Sequence, residues 1–218
     1  MFHKEVEAGQ LWDQLAELAW QSFESGGYGV AAAVFVDPGE TVALGSNSVE
    51  KRSREGDALF GSPLAHAEMN ALLSAGDIAD ASVMFTTLTP CAMCLGATDV
   101  VRLRRIEYLA HDPACDSLIP STGYGGRPRG LTVSHVRDWA ALMEILPLIR
   151  SLSRRSEGSS LTAAAYQSRN PTMLQTARDV VRSRDVMNSL GQSPRLARAR
   201  LSSAGVLPTE PPEYFERV

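Results

Sequence analysis

Apolar positions recur at helical spacing from Gln10 to Ser25, where Leu11, Leu15, Leu18, Ala19 and Trp20 share one stripe, and Gly26-Gly27 ends it. The pattern then shortens. A β-branched and alanine-rich run from Val30 to Val36, a turn at Asp37-Pro38-Gly39 and a second run from Thr41 to Leu44 predict a β-hairpin. From there helices and strands alternate: a helix over Leu64 to Ala75, a strand over Ser82 to Leu88, a helix over Ala92 to Val101 and a strand over Arg105 to Ala110. Strands separated by helices imply parallel neighbours and right-handed crossovers. Asp112 to Gly130 holds three prolines and four glycines and reads as a loop, with Tyr124 as a lid candidate. Leu131 to Val136 predicts a fifth strand, and Asp138 to Leu152 a helix with a kink or break near Leu146, since Pro147 sits inside it. The chain therefore reads as α/β, a three-layer α/β/α sandwich on a mixed five-stranded sheet.

The last sixty residues differ in texture. Ser151 to Ser160 is rich in Ser, Arg and Gly and linker-like, Thr172 to Ser189 is helical behind Asn170-Pro171, and Pro194 to Ala204 predicts another helix. The division is a domain over 1–155 and a helical C-terminal extension over 156–218. Arg178, Arg182, Arg184, Arg195, Arg198 and Arg200 make this extension locally basic. Aromatic residues for base stacking are nearly absent from it, which favours a packing role over RNA contact.

The whole chain of 218 residues carries a net charge of −4, so no overall basic balance advertises nucleic acid. The first ten residues lack the apolar core of a signal peptide and no run of 18 apolar residues occurs, so a cytoplasmic protein is expected. Of three cysteines, two fall in one motif, which argues against a disulfide framework.

Candidate chemistry sits in His66-Ala67-Glu68 and Pro90-Cys91-Ala92-Met93-Cys94. One imidazole and two thiolates suit zinc and leave a fourth tetrahedral position open, the mark of a catalytic rather than a structural ion. Cys91 and Cys94, three apart at a helix start, share a face where backbone amides favour thiolates. His66 and Glu68, both placed in the first turn of the helix beginning at Leu64, point about 200° apart. Glu68, however, need reach only a water and not the ion. A lone CxxC also suits a redox site, but the preceding His-Ala-Glu makes a metal centre the better reading.

The pattern H-x-E followed by P-C-x-x-C resembles the zinc-dependent cytidine and deoxycytidylate deaminase superfamily. The wording HAEMNAL and TLTPCAMCLGA is most similar to its tRNA adenosine deaminase and guanine deaminase branch. The likeness covers roughly Val30 to His111. It implies a cytidine deaminase-like fold, one zinc ion per chain held by His66, Cys91 and Cys94, and Glu68 as the catalytic proton carrier. It further implies substrate contacts at Asn47 and at the backbone of Ala67 and Cys91, and a homodimer. The implied reaction replaces an exocyclic amine on a heteroaromatic ring by a carbonyl and releases ammonia. Thr89 stands where that branch favours glutamate, and the chain is acidic. A small nucleobase or nucleoside is therefore the expected substrate, with tRNA and a zinc-binding homologue without turnover as the alternatives. Cys115 and His111, close behind the last strand of the likeness, are read as incidental.

Overall fold

The computed structural model describes residues 5–36, 41–51, 58–78, 82–116, 130–134, 139–154, 160–190, 193–203, 205 and 207. The turn expected at Asp37-Pro38-Gly39, the Tyr124 lid and residues 155–159 of the linker expected over Ser151 to Ser160 lie outside them, while residues 151–154 of that stretch are helical. Helix α1 (Glu5–Glu24) leads into strands β1 (Ala31–Val36) and β2 (Thr41–Ser46), which pair antiparallel as a hairpin. Helix α2 (Ala67–Ala75), strand β3 (Val83–Leu88), helix α3 (Ala92–Val100) and strand β4 (Arg105–Ala110) follow as two α/β repeats. A single turn, α4 (Pro113–Asp116), opens the stretch expected to be all loop, and strand β5 (Gly130–Val133) completes the sheet. The sheet order is β2-β1-β3-β4-β5; β1 is antiparallel to both neighbours, and β3, β4 and β5 run parallel. This is the mixed five-stranded sheet that the alternation of patterns predicts.

Two helical layers cover it. Helices α2 and α3 pack together on one side, and α1 packs with α5 (Ala140–Arg154) on the other. The core is dense: Trp12, Leu15, Ala16, Ala33, Val34 and Met84 are fully buried. Phe85 meets the rings of Trp12 and Phe35 edge-on, with centroids 5.8 and 5.3 Å apart. Trp12 and Trp20 thus belong to packing and not to a stacking surface.

Helix α5 runs unbroken through Pro147, so of the kink or break expected near Leu146 the break does not occur. An internal proline costs a helix roughly 3 kcal/mol. Met143, Ile145, Leu146, Leu148 and Ile149 are all fully buried around it, and several such side chains at about 1.5–3 kcal/mol each outweigh that cost. Beyond it the described residues form four helices: α6 (Leu161–Arg169), α7 (Pro171–Arg182), α8 (Arg184–Ser189) and α9 (Pro194–Ser203). The helix expected over Thr172 to Ser189 is split at Ser183, whose hydroxyl caps α8 by accepting from the Val186 amide. Helix α6 has no counterpart in the sequence reading.

These helices pack on the sandwich. Helix α7 lies on α5 and α6, and α9 contacts α1 and α8. Arg195 bonds Asp13, and Arg195 and Arg198 sit over the Trp139 ring at 5.6 and 5.4 Å, so part of the basic tail is used in packing. No helix among the described residues is long and apolar enough to cross a membrane.

Gly45 decides how closely α2 approaches the sheet. It stands in β2 where the α2 backbone crosses, and a Cβ there would collide with the Ala67 carbonyl and the Ala71 amide. Both are rigid backbone. We predict that Gly45→Ala lowers the unfolding free energy by about 1–3 kcal/mol, the usual cost of overpacking, in a denaturant titration. An unchanged midpoint would show that the contact is not tight.

Candidate active site

Two helix starts build the site. Ahead of α2 a turn forms over Ser62 to Ala65, closed by the Ala65 amide on the Ser62 carbonyl at 2.9 Å. His66 is therefore not inside the helix, as the sequence reading has it, but is its N-cap, with extended dihedrals of φ −75° and ψ 155°. This displacement removes the 200° conflict: His66 projects from the cap and Glu68 from the first turn. Pro90 stops β3's continuation, and Cys91 caps α3 in the same way, with φ −73° and ψ 169°, placing Cys94 in the first turn. Neither cap residue uses its side chain to satisfy its own helix, so both remain free for other work.

Asn70 fixes the first start. Fully buried, it donates from Nδ2 to the Ser46 carbonyl at 3.0 Å and accepts the Leu59 amide on Oδ1 at 2.7 Å. This ties α2 to the end of β2 and to the preceding segment. Thr86, from β3, donates its hydroxyl to Glu68 Oε1 at 3.2 Å. Sequence reasoning missed both. Asn70 sits inside the His-Ala-Glu motif's own helix, and Thr86 is one of two adjacent threonines in a strand whose neighbours are apolar; a polar residue at an inward position was the available signal.

The three candidate ligands converge. Cys91 Sγ and Cys94 Sγ are 3.5 Å apart and each lies 3.6 Å from His66 Nδ1. A tetrahedral ion with bonds of about 2.3 Å to sulfur and 2.0–2.1 Å to nitrogen sets edges of roughly 3.8 and 3.6 Å, so this triangle has the size that zinc requires. Among the described residues these three are the cluster able to hold a metal. Glu68 stands beside it with Oε2 3.4 Å from Cys94 Sγ.

Electrostatics lead to the same place. The hydrogen bond from Cys94, aided by His66, pulls the Cys91 thiol down to about 4, whereas the same hydrogen bond to Cys91, together with burial, pushes Cys94 up. The shifts are opposite because, with no ion between them, the sulfurs share one proton. Only a cation at the centre lets both become thiolates. The hydrogen bond to Cys91 raises His66, with burial acting against it. Burial raises the Glu68 carboxyl, opposed by His66.

A cavity of about 380 Å³ opens onto this cluster, a size suited to one small ring compound. Asn47 lines it, with Oδ1 3.4 Å from the Tyr28 amide. Ala67 is fully buried and lies outside the lining, its carbonyl packed against Gly45. Cys115 and Asp112 do line it, paired by a thiol donating to Asp112 Oδ2 at 3.4 Å, so Cys115 is less incidental than the sequence suggests. His111 is buried against Tyr108 with ring centroids 5.2 Å apart, and it takes no part in the cluster.

Residues 7–110 match the family model of the cytidine and deoxycytidylate deaminase zinc-binding region. That segment is similar to the zinc-binding region of these deaminases. The chain is 31% identical over 106 residues to the guanine deaminase of Bacillus subtilis (strain 168), covering 46% of this chain and 63% of that protein. It thus spans less than two thirds of that relative's length. Among solved structures, one from work on A-to-I editing by tRNA:A34 deaminases aligns at 20% identity and a TM-score of 0.45, over 58% of this chain and 99% of that one. The guanine deaminase from Nitrosomonas europaea aligns at 26% identity and a TM-score of 0.38, over 56% of this chain and 72% of that one. The matched segment ends at Ala110, so the α5 and α6 residues that line the cavity lie beyond it.

The charge distribution generates a test. With zinc stripped, Cys91 is a thiolate at pH 6, while Cys94 and Cys115 are pushed up and stay protonated. We predict that iodoacetamide at pH 6 labels Cys91 first in the chelator-treated protein and that one equivalent of zinc blocks it, both read by peptide mass spectrometry. Equal labelling of all three cysteines would contradict the assigned electrostatics.

Proposed function

We propose that the chain is a zinc-dependent hydrolytic deaminase acting on a small heteroaromatic base or nucleoside, exchanging an exocyclic amine for a carbonyl with release of ammonia. The observation that carries this reading is Glu68: a buried carboxyl that is not part of the ligand triangle, yet lines the same cavity beside it. A purely structural zinc site has no use for such a group.

His66, Cys91 and Cys94 would hold a zinc ion, and the chemistry it would supply is acidification of a water for attack on the ring. The chain's own residues manage the protons. Glu68 accepts one as the new carbon–oxygen bond forms, passes it to a ring nitrogen, and takes and delivers the next to the amine as the carbon–nitrogen bond breaks. Thr86 fixes Oε1, which leaves Oε2 oriented toward the cluster for this transfer. With its Oδ1 engaged by the Tyr28 amide, Asn47 keeps an amide N–H for orienting the ring. Burial of Glu68 excludes bulk water that would short-circuit the relay.

Among the described lining residues are the carboxylates of Glu68 and Asp112 and no Lys or Arg. That balance favours an uncharged ring over a phosphate-bearing substrate. Guanine is the first substrate to test, given the Bacillus subtilis relative.

Glu68→Gln preserves shape but cannot carry a proton. We predict that it retains one zinc per chain by elemental analysis and loses at least about a hundredfold in ammonia release across a panel of free bases and nucleosides. Undiminished release would remove Glu68 from the mechanism. Inosine formed in tRNA, with no ammonia from any small substrate, would overturn the substrate class.

A further inference from the structure

Part of the cavity wall comes from outside the deaminase region. Pro147 and Ser151 from α5, and Ser160, Leu161 and Thr162 at the start of α6, line the same space as His66 and Glu68. Ser151 and Ser160 are 6% and 5% exposed, and their hydroxyl oxygens lie 2.7 Å apart. Ser160 Oγ also accepts the Ala163 amide at 3.1 Å, capping α6.

A count of hydrogens follows. Each serine hydroxyl has one hydrogen to give and two lone pairs to receive. Two hydroxyls supply two hydrogens, and their mutual bond uses one. The Ala163 amide donates, so it consumes a lone pair and not a hydrogen. One O–H donor is left over whichever serine donates to the other. It belongs to a side chain more than nine-tenths buried that faces the cavity, where an unmet donor is costly. Its position is fixed by packing: Tyr166, on α6, directs its hydroxyl to the His111 carbonyl at 3.5 Å and the Glu144 carbonyl at 3.4 Å. Asn170, which ends α6, donates to Glu144 Oε1 at 2.8 Å.

We propose that the Ser151–Ser160 pair is a specificity-determining element that offers a single hydrogen-bond donor to the substrate. It selects rings bearing an acceptor, a carbonyl oxygen or an unprotonated ring nitrogen, on the edge that faces α5 and α6. The identity of the ring rests on the deaminase reading; the donor itself does not.

Ser160→Asp and Ser160→Asn test it as a matched pair. Both residues cap helices well and they are nearly isosteric. Asn retains N–H donors, whereas Asp only accepts and also consumes the Ser151 hydrogen, so no donor is left. Binding of guanine, 2-aminopurine (which lacks the carbonyl) and 7-deazaguanine (which lacks one ring nitrogen) is measured by equilibrium dialysis. The protein is the zinc-loaded full chain carrying Glu68→Gln, with melting curves and zinc content as controls. The expected result is that Ser160→Asn stays within about threefold for guanine and Ser160→Asp loses on the order of tenfold or more. One of the two analogues is also expected to bind on the order of tenfold more weakly than guanine when Ser160 is intact, and to be indifferent to Ser160→Asp. Equal effects of the two substitutions, equal binding of the three rings, or binding of none overturns the proposal. The comparison of rings needs no change at the pair, so a misfolded variant leaves the test standing. Ammonia release is scored separately on the chain with Glu68 intact: its absence counts against the deaminase reading, and its presence with equal Asp and Asn effects counts against the serine pair alone.

Discussion

Three donor atoms within 3.6 Å of one another, two of them sulfurs that cannot both ionise unaided, are the constraint on which the rest of this structure turns. Such crowding is costly in a protein interior unless a cation occupies the centre. It is achieved by one device used twice. His66 and Cys91 are both N-cap residues in extended conformation, so each side chain leaves its helix axis and the two helix starts aim at a shared point. Strands β2 and β3, both antiparallel to β1, run the same way, so the helix starts that follow them lie at the same end of the sheet. Gly45 and Asn70 then hold α2 at the distance the convergence requires.

The chemistry depends on a second division of labour. The matched segment, residues 7–110, supplies the three candidate ligands and Glu68. The helices beyond it supply part of the cavity wall, the element that discriminates between ligands in a site of this kind. Placing those walls on α5 and α6, clamped through Tyr166 and Asn170 to the sandwich, keeps them on elements separate from the candidate ligands.

Much of this was legible in the residues. Alternating patterns predict the hairpin, the three parallel strands and their order of helices, and His66, Glu68, Cys91 and Cys94 stand out because their chemistry and spacing have few other uses. The failures have physical causes. A two-residue separation looks awkward for His66 and Glu68 when the helix is started at Leu64, whereas a turn over Ser62 to Ala65 delays it. Pro147 looked like a break because local propensity was weighed without the fully buried flanks that override it. Helix α6 was hidden behind a Ser/Arg/Gly-rich stretch, although Ser160 before Leu-Thr-Ala-Ala-Ala is an N-cap signal. The contribution of Ser151 and Ser160 to the cavity is a tertiary fact that no local pattern carries.

The most direct test is X-ray absorption at the zinc edge of the purified full chain, with metal stoichiometry measured on the same sample. The account predicts one zinc per chain, bound by two sulfurs at about 2.3 Å and one imidazole nitrogen, with one light-atom ligand not supplied by the protein. A site closed by four protein ligands, or a chain that does not take up zinc, would contradict it.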